Sequence, residues 1–204
     1  MNMEQLEARL KTLEEKVART EDIEEIKKLQ RAYSYYLEHG MFQEIIDLFS
    51  EDTESIETGS TGVYLGKEGV RKHFSPSDVN KDWMHVTMPV SGIITVDKDG
   101  KTAKGRWYGW ICAALPVAKI TRAIFQLGVY ENEYVKEDGR WKFKKLQYYR
   151  IFQSPYEDGW VKTPDIFLDL ERDLPPPDLP QTIYKPYPSG FVMPFHYKHP
   201  VTGK

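Results

Sequence analysis

Between Trp83 and Phe152 the chain carries four long β-rich segments in a row, and this run constrains the fold more than any other feature. Trp83–Val96 ends in the turn Asp97-Lys98-Asp99-Gly100, and Thr102–Ala114 follows as its hairpin partner. Thr121–Lys136 then turns at Glu137-Asp138-Gly139 into Trp141–Phe152. Asp-Gly steps favour the positive backbone φ of tight hairpin turns, so both are strong hairpin signals. Upstream of this run the apolar residues follow helical spacing instead. Helices first and long antiparallel strands second predict an α+β fold: a curved antiparallel sheet with helices packed on one face.

The helical part centres on Asp22–Phe49, read as a helix, a break at His39-Gly40 and a second short helix. Ile26, Leu29, Tyr33, Tyr36 and Leu37 recur at helical spacing, and Phe42, Ile45, Ile46 and Phe49 repeat the pattern after the break. Asp22 can cap the first helix, with Glu25 in capping-box position. Tyr33, Tyr35, Tyr36, Glu38 and His39 crowd its last two turns. A buried tyrosine needs a partner for its hydroxyl, so this helix end is a candidate wall of a polar-lined cavity. Further downstream, Asp52–Leu65 reads as two short strands or a strand and a loop. Lys67–Phe74 reads as a short helix that buries Val70 and Phe74 and leaves His73 partly exposed.

Residues 1–20 are predicted to form a separate unit. Met3, Leu6, Leu10, Leu13 and Val17 alternate strictly by three and four, a heptad seam whose phase breaks at Thr20. A helix this short is not stable alone. Its stripe is also narrower than an ordinary core-facing one, which points to an oligomerisation arm. At the other end, residues 154–204 hold 10 of the 13 prolines, which rules out a regular sheet there. Eight aromatic residues (Tyr156, Trp160, Phe167, Tyr184, Tyr187, Phe191, Phe195 and Tyr197) are interleaved with them. Disordered tails are poor in aromatics, so this segment is expected to be an extended arm docked on the domain or on a neighbouring subunit, with a short helix around Asp165–Arg172. The domain proper is then 21–153.

A net charge of −3 leaves no basic surplus to neutralise phosphates, which argues against nucleic acid as a partner. The single cysteine, Cys112, allows no intrachain disulfide and supports no cysteine-based metal site. The five histidines show no close ligand spacing, so no metal is expected. No signal-like segment and no run of about 18 apolar residues occurs, so the expectation is a soluble cytoplasmic protein that does not engage a membrane.

Three stretches carry a family resemblance: residues 6–52, from LEARLKTLEEKVARTED through DLFSED; GKEGVRKHF; and HVTMPVSGIITVDKDGKTAKGRWY. Together they resemble the SnoaL-like branch of the nuclear transport factor 2-like superfamily, over roughly residues 4–153. Within that branch the N-terminal half resembles the bile-acid dehydratases and, more distantly, the scytalone dehydratases. The resemblance implies a cone-shaped α+β barrel, of the cystatin-like or NTF2-like kind, in which a strongly bent antiparallel sheet wraps around helices and encloses a cavity. It also implies a homo-oligomer, with a trimer favoured over a dimer. The dehydratases place a tyrosine at the end of the first domain helix and an aspartate five residues later; here these positions are Tyr33 and Glu38. They place a histidine early in the strand leading to a proline, here His85. The bile-acid enzymes carry an acid just after the GRWY motif, whereas this chain continues GWIC.

In the chemistry so implied, His85 acts as the base, because an unperturbed imidazole titrates near neutrality. Tyr33 donates a hydrogen bond to a substrate carbonyl, stabilising an enolate as it forms. Glu38 orients the imidazole, with Asp47 and Glu57 in reserve. Tyr33 and Glu38 lie about 140° apart around an ideal helix, so both can touch one cavity only if the helix end points into its mouth. Tyr64, Trp107, Trp110, Tyr130 and Tyr148 are candidate cavity walls that bind substrate. Arg106 and Arg150 are read as surface ion pairs. These roles describe a lyase, or equally an isomerase, that uses no cofactor; the favoured reading is a dehydratase acting on a hydrophobic cyclic or aromatic small molecule. The rival readings are a carbon–carbon lyase (deformylase or decarboxylase) or polyketide-type cyclase in the same cavity, and a non-catalytic small-molecule-binding or assembly module.

Overall fold

The computed structural model describes residues 2–59, 61–74, 84–117, 120–166 and 175–204. Helices α1 (Met3–Glu38) and α2 (Phe42–Asp47) open the chain. Strands β1 (Ser55–Thr58) and β2 (Val63–Leu65) and helix α3 (Gly66–His73) follow. Four long strands come next: β3 (Met84–Val96), β4 (Thr102–Val117), β5 (Ile120–Glu137) and β6 (Arg140–Pro155), then a one-turn helix α4 (Gly159–Lys162). The six strands form one sheet in the order β2-β1-β6-β5-β4-β3. All neighbours are antiparallel except β1 and β6, which run parallel. The long strands and both hairpin turns fall where the sequence puts them. Trp83, where the first strand is expected to begin, lies outside the described residues.

The sheet bends because its ladders are interrupted. Register shifts occur in β3 between Val90 and Ile93 and between β5 and β6 at Leu127/Gly128 and Glu133/Tyr134. A bulge adds a residue to one strand, so that strand curves toward its partner. At the β3 bulge Ser91 has φ 55°, and Gly92 lies directly against Trp107. A Cβ on Gly92 would stand 2.1 Å from the Trp107 ring, so only glycine lets the indole seat there.

The concave face of the sheet closes over α1, α2 and α3. Ile26, Leu29 and Tyr33 of α1 meet Ile45, Phe49, Ile56, Val70, Trp107, Tyr130, Phe143, Leu146 and Tyr148 in one buried cluster. One end of this cluster holds a buried polar network centred on the Gln30 side-chain oxygen. Gln30 Oε1 accepts from Asn132 Nδ2 at 2.9 Å and from the Tyr134 hydroxyl at 3.1 Å, and Trp107 Nε1 donates to the same hydroxyl at 3.1 Å. The buried Asp22 carboxylate accepts from Trp141 Nε1 at 2.8 Å and from Lys136 Nζ.

The expectation about the start of the chain is corrected. α1 is one unbroken 36-residue helix, not an arm followed by a second helix. Its cap is Asn2, which forms a capping box with Gln5, and Asp22 is a mid-helix anchor rather than a cap. The C-terminal segment crosses the outer face of its own sheet. Thr182 donates its backbone N–H to Glu57 Oε1 at 2.6 Å, and Tyr187 N donates to Ile151 O at 2.7 Å. Met193 is buried against Val129 and Tyr149, flanked by Phe191 and Ile183. Of the expected helix at Asp165–Arg172, residues 167–172 lie outside the described residues. Asp165 is in an isolated bridge with Gln153.

Candidate functional site

His85 sits near the start of β3, where the strand alternation puts it on the same face as Thr87. His85 is opposite Ala113, Thr87 is opposite Ile111, and Ala113 is in turn opposite Ile124. Those partners are buried in the concave cluster, so the imidazole faces inward. It is half-buried, and its Nδ1 lies 3.3 Å from the Thr87 hydroxyl.

Tyr33 enters the same face from α1. It is buried, with its ring edge-on to Phe143 at 5.7 Å, Phe74 at 6.3 Å and Tyr130 at 6.4 Å. Tyr130 lies against Tyr148 with ring centroids 4.5 Å apart. The Tyr148 hydroxyl donates to Gly109 O at 3.2 Å. Two glycines make this packing possible. A Cβ on Gly109 would stand 2.6 Å from Tyr130 Cε2 and 2.8 Å from Tyr148 Cε2; one on Gly128 would stand 2.4 Å from Tyr148 Cζ. Burial pushes the phenols of Tyr130 and Tyr148 well above the usual tyrosine range, and the neighbouring Tyr33 raises both further. These phenols therefore remain protonated and act as hydrogen-bond donors.

Along β4 the inward positions run Gly109, Ile111, Ala113, so the tyrosine seat and the strand position opposite His85 are about 13 Å apart along the backbone at ~3.4 Å per residue. Between them lie Thr87, Ile111 and Gln126, which share one rung. An imidazole therefore stands at one end of this stretch and the buried phenols of Tyr130 and Tyr148 at the other, with a mostly apolar floor between them.

The other candidates fall elsewhere. Glu38 is the last residue of α1, half-buried, and among the described residues no hydrogen bond joins it to His85 or Tyr33. Asp47 accepts from Gln43 at 2.9 Å, and Glu57 holds Thr182 and Gln147 on the far side of β1. Trp107 belongs to the deep polar network with Tyr134. Tyr64 donates its hydroxyl to Pro175 O at 2.9 Å and packs its ring on His73. Trp110 faces the outside of the sheet, against Phe125 and Phe152, in an open apolar groove of about 530 Å³ with Met88, Val90 and Tyr108. It is three residues from Trp107, and an odd spacing on a strand sends two side chains to opposite faces.

Three further readings are corrected. His73 is 3% exposed, bonded through Nε2 to the Thr58 hydroxyl at 3.0 Å. Arg150 is buried and paired with Asp165 at 3.1 Å rather than lying at the surface. Arg106 pairs with Glu131 at 3.0 Å beneath the C-terminal arm, where its guanidinium also donates to Met193 O and Pro194 O at 2.9 Å and lies over the Phe195 ring. Thr87, Gln126, Gly109 and Gly128 were not among the sequence candidates. Only Thr87 left a readable signal, two residues from His85 and hence on its face. No group of three or more histidine, cysteine, aspartate or glutamate side chains positioned for a metal occurs among the described residues. Nor is any helix among them long and apolar enough to cross a membrane.

A strongly bent six-stranded sheet closed over helices defines the NTF2-like class of cystatin-like folds. Within it, the chain belongs to the SnoaL-like domain family, which it matches over residues 18–147. Solved structures agree on the fold. A scytalone dehydratase candidate from Novosphingobium aromaticivorans superposes with a TM-score of 0.61 at 19% identity, covering 69% of this chain and 91% of its own. A type 2 hexachlorocyclohexane dehydrochlorinase, LinA, gives 0.59 at 18% identity over 69% of this chain and 92% of its own. An NTF2-like protein with a cystatin-like fold, also from N. aromaticivorans, gives 0.53 at 16% identity over 79% and 94%.

Proposed function

We propose that this protein is an acid–base lyase, working without a cofactor, that eliminates water from a hydrophobic cyclic or aromatic small molecule. The observation that carries the reading is the shared face: His85, held by Thr87, and the tyrosines Tyr33, Tyr130 and Tyr148 all project from elements lining one concave surface. His85 Nε2 takes a proton from the carbon next to a carbonyl. The C–H electron pair moves into an enolate, whose oxygen is stabilised by a tyrosine O–H. The enolate then collapses to a C=C bond as the hydroxyl on the next carbon leaves. The imidazolium returns its proton to that hydroxyl, so water departs and the base is regenerated. Thr87 takes the orienting part expected of Glu38: with Nδ1–H donating to its hydroxyl, Nε2 is the basic nitrogen. Two of the structural neighbours, a scytalone dehydratase candidate and a dehydrochlorinase, bear names that denote eliminations, which supports the reaction class.

The test does not require knowing the substrate. Wild-type protein should exchange the α-protons of cyclic and aromatic ketones with D2O, followed by NMR. His85→Ala should slow that exchange by about 100-fold or more at an unchanged melting temperature. Exchange undiminished in the variant would sink the acid–base reading.

A further inference from the structure

The two apolar stripes of α1 lie on opposite sides of one continuous helix. At 100° per residue the buried positions Asp22, Ile26, Leu29, Gln30, Tyr33 and Ser34 centre about 180° away from Met3, Leu6, Leu10, Leu13 and Val17. The helix is unbroken, so the first stripe cannot rotate onto the domain that holds the second. Every described residue from Asn2 to Glu21 is exposed, and the five stripe residues are 48–70% exposed in the single chain. The arm extends about 27 Å over 18 residues, and its helical state is already nucleated by the buried half.

The flanking charges identify what covers it. With Met3, Leu10 and Val17 at the a positions and Leu6 and Leu13 at d, all three e positions are acidic (Glu7, Glu14, Glu21). The g positions Arg9 and Lys16 are basic. In a parallel, in-register coiled coil, g of one helix faces e of the next heptad on its neighbour, which matches Arg9 with Glu14 and Lys16 with Glu21. An antiparallel pairing would set glutamate against glutamate and base against base. We propose that residues 3–20 form a parallel, in-register coiled coil with the same segment of further copies of this chain, holding the SnoaL-like domains side by side at one end of the bundle.

The test uses the full chain. In a Cys112→Ser background, Met3→Cys brings two thiols together at the tip of a parallel bundle, whereas an antiparallel pair separates them by more than a heptad at each end. With oxidised glutathione, at least half of the chain should run as a disulfide-linked dimer at low micromolar concentration. Adding Leu10→Asp and Leu13→Asp, both exposed in the single chain, should abolish that cross-link and lower the mass in light scattering at least twofold, with the circular dichroism of the sheet retained. Cross-linking as efficient with the two aspartates as without them, or none in the parent, would overturn the proposal. A mixture of Glu14→Lys/Glu21→Lys chains with Arg9→Glu/Lys16→Glu chains should cross-link better than either alone; equal yields would also overturn it.

Discussion

At the scale of single residues, the site depends on small side chains that make room as much as on reactive ones. Gly109 is the clearest case, since any Cβ there meets the Tyr130 and Tyr148 rings at 2.6 and 2.8 Å. Gly109→Ala should push both rings out of place, costing about 1–3 kcal/mol in urea unfolding and lowering kcat/KM by tenfold or more. Tyr33→Phe separates the hydroxyl from the ring. Stability should change little because the edge-on packing on Phe143 and Phe74 survives, while the α-proton exchange rate should fall about 10- to 100-fold. If Tyr33 is packing alone, the rate will stand. Tyr33 and His85 drew notice in the sequence because a tyrosine-rich helix end and a histidine in a β-rich run carry family-like spacing, and both lie on elements that face the concave cluster. Glu38 and Trp110 were read onto the cavity as well. For Trp110 the obstacle is strand parity, since a one-residue uncertainty in phase sends a side chain through the sheet.

At the scale of elements, the strands were legible nearly residue by residue and the first helix was not. Four alternating segments with Asp-Gly turns admit few other pairings. The break inferred at Thr20 came from a real change in hydrophobic phase. That change marks which side of the helix is covered, and periodicity alone cannot distinguish it from a helix end. The C-terminal arm makes the opposite point: its prolines foretold its lack of regular structure, while its course over β5 and β6 depends on contacts far apart in sequence. Truncating the chain after Gln181 removes Thr182 from the buried Glu57 carboxylate and uncovers Val129 and Tyr149. The melting temperature should drop by several degrees and dye binding to exposed apolar surface should rise. An unchanged melt would mean that the arm contributes nothing to the domain.

At the scale of the whole molecule, distant loops are tied by a few charged bonds, and these set its response to acid. Glu137, at the end of β5, accepts from Lys142 Nζ at 2.6 Å, from the Ser50 hydroxyl at 2.5 Å and from Glu51 N at 3.3 Å. The Lys142 bond, with that of Ser50, holds its carboxyl down at about 2 from the ordinary 4.5. A depressed carboxylate stabilises the fold above its unfolded pKa and loses that contribution as protons bind in the folded state. The contribution is therefore complete above about pH 4.5 and disappears as pH falls toward about 2. Glu137→Gln should lower stability at pH 7 and flatten the acid limb of a stability-against-pH curve, measured by urea unfolding. Parallel curves would assign the acid sensitivity to other groups. The sequence by itself determined the class of fold, the strand meander and the two apolar stripes upstream of it, because these rest on local periodicity and turn chemistry. Only the tertiary structure decided which face of the sheet each side chain occupies, that the His85 imidazole lies against the Thr87 hydroxyl, and that the arm crosses its own sheet. Those outcomes depend on register, bulges and long-range packing, where a shift of one residue changes the neighbour and leaves the local pattern intact.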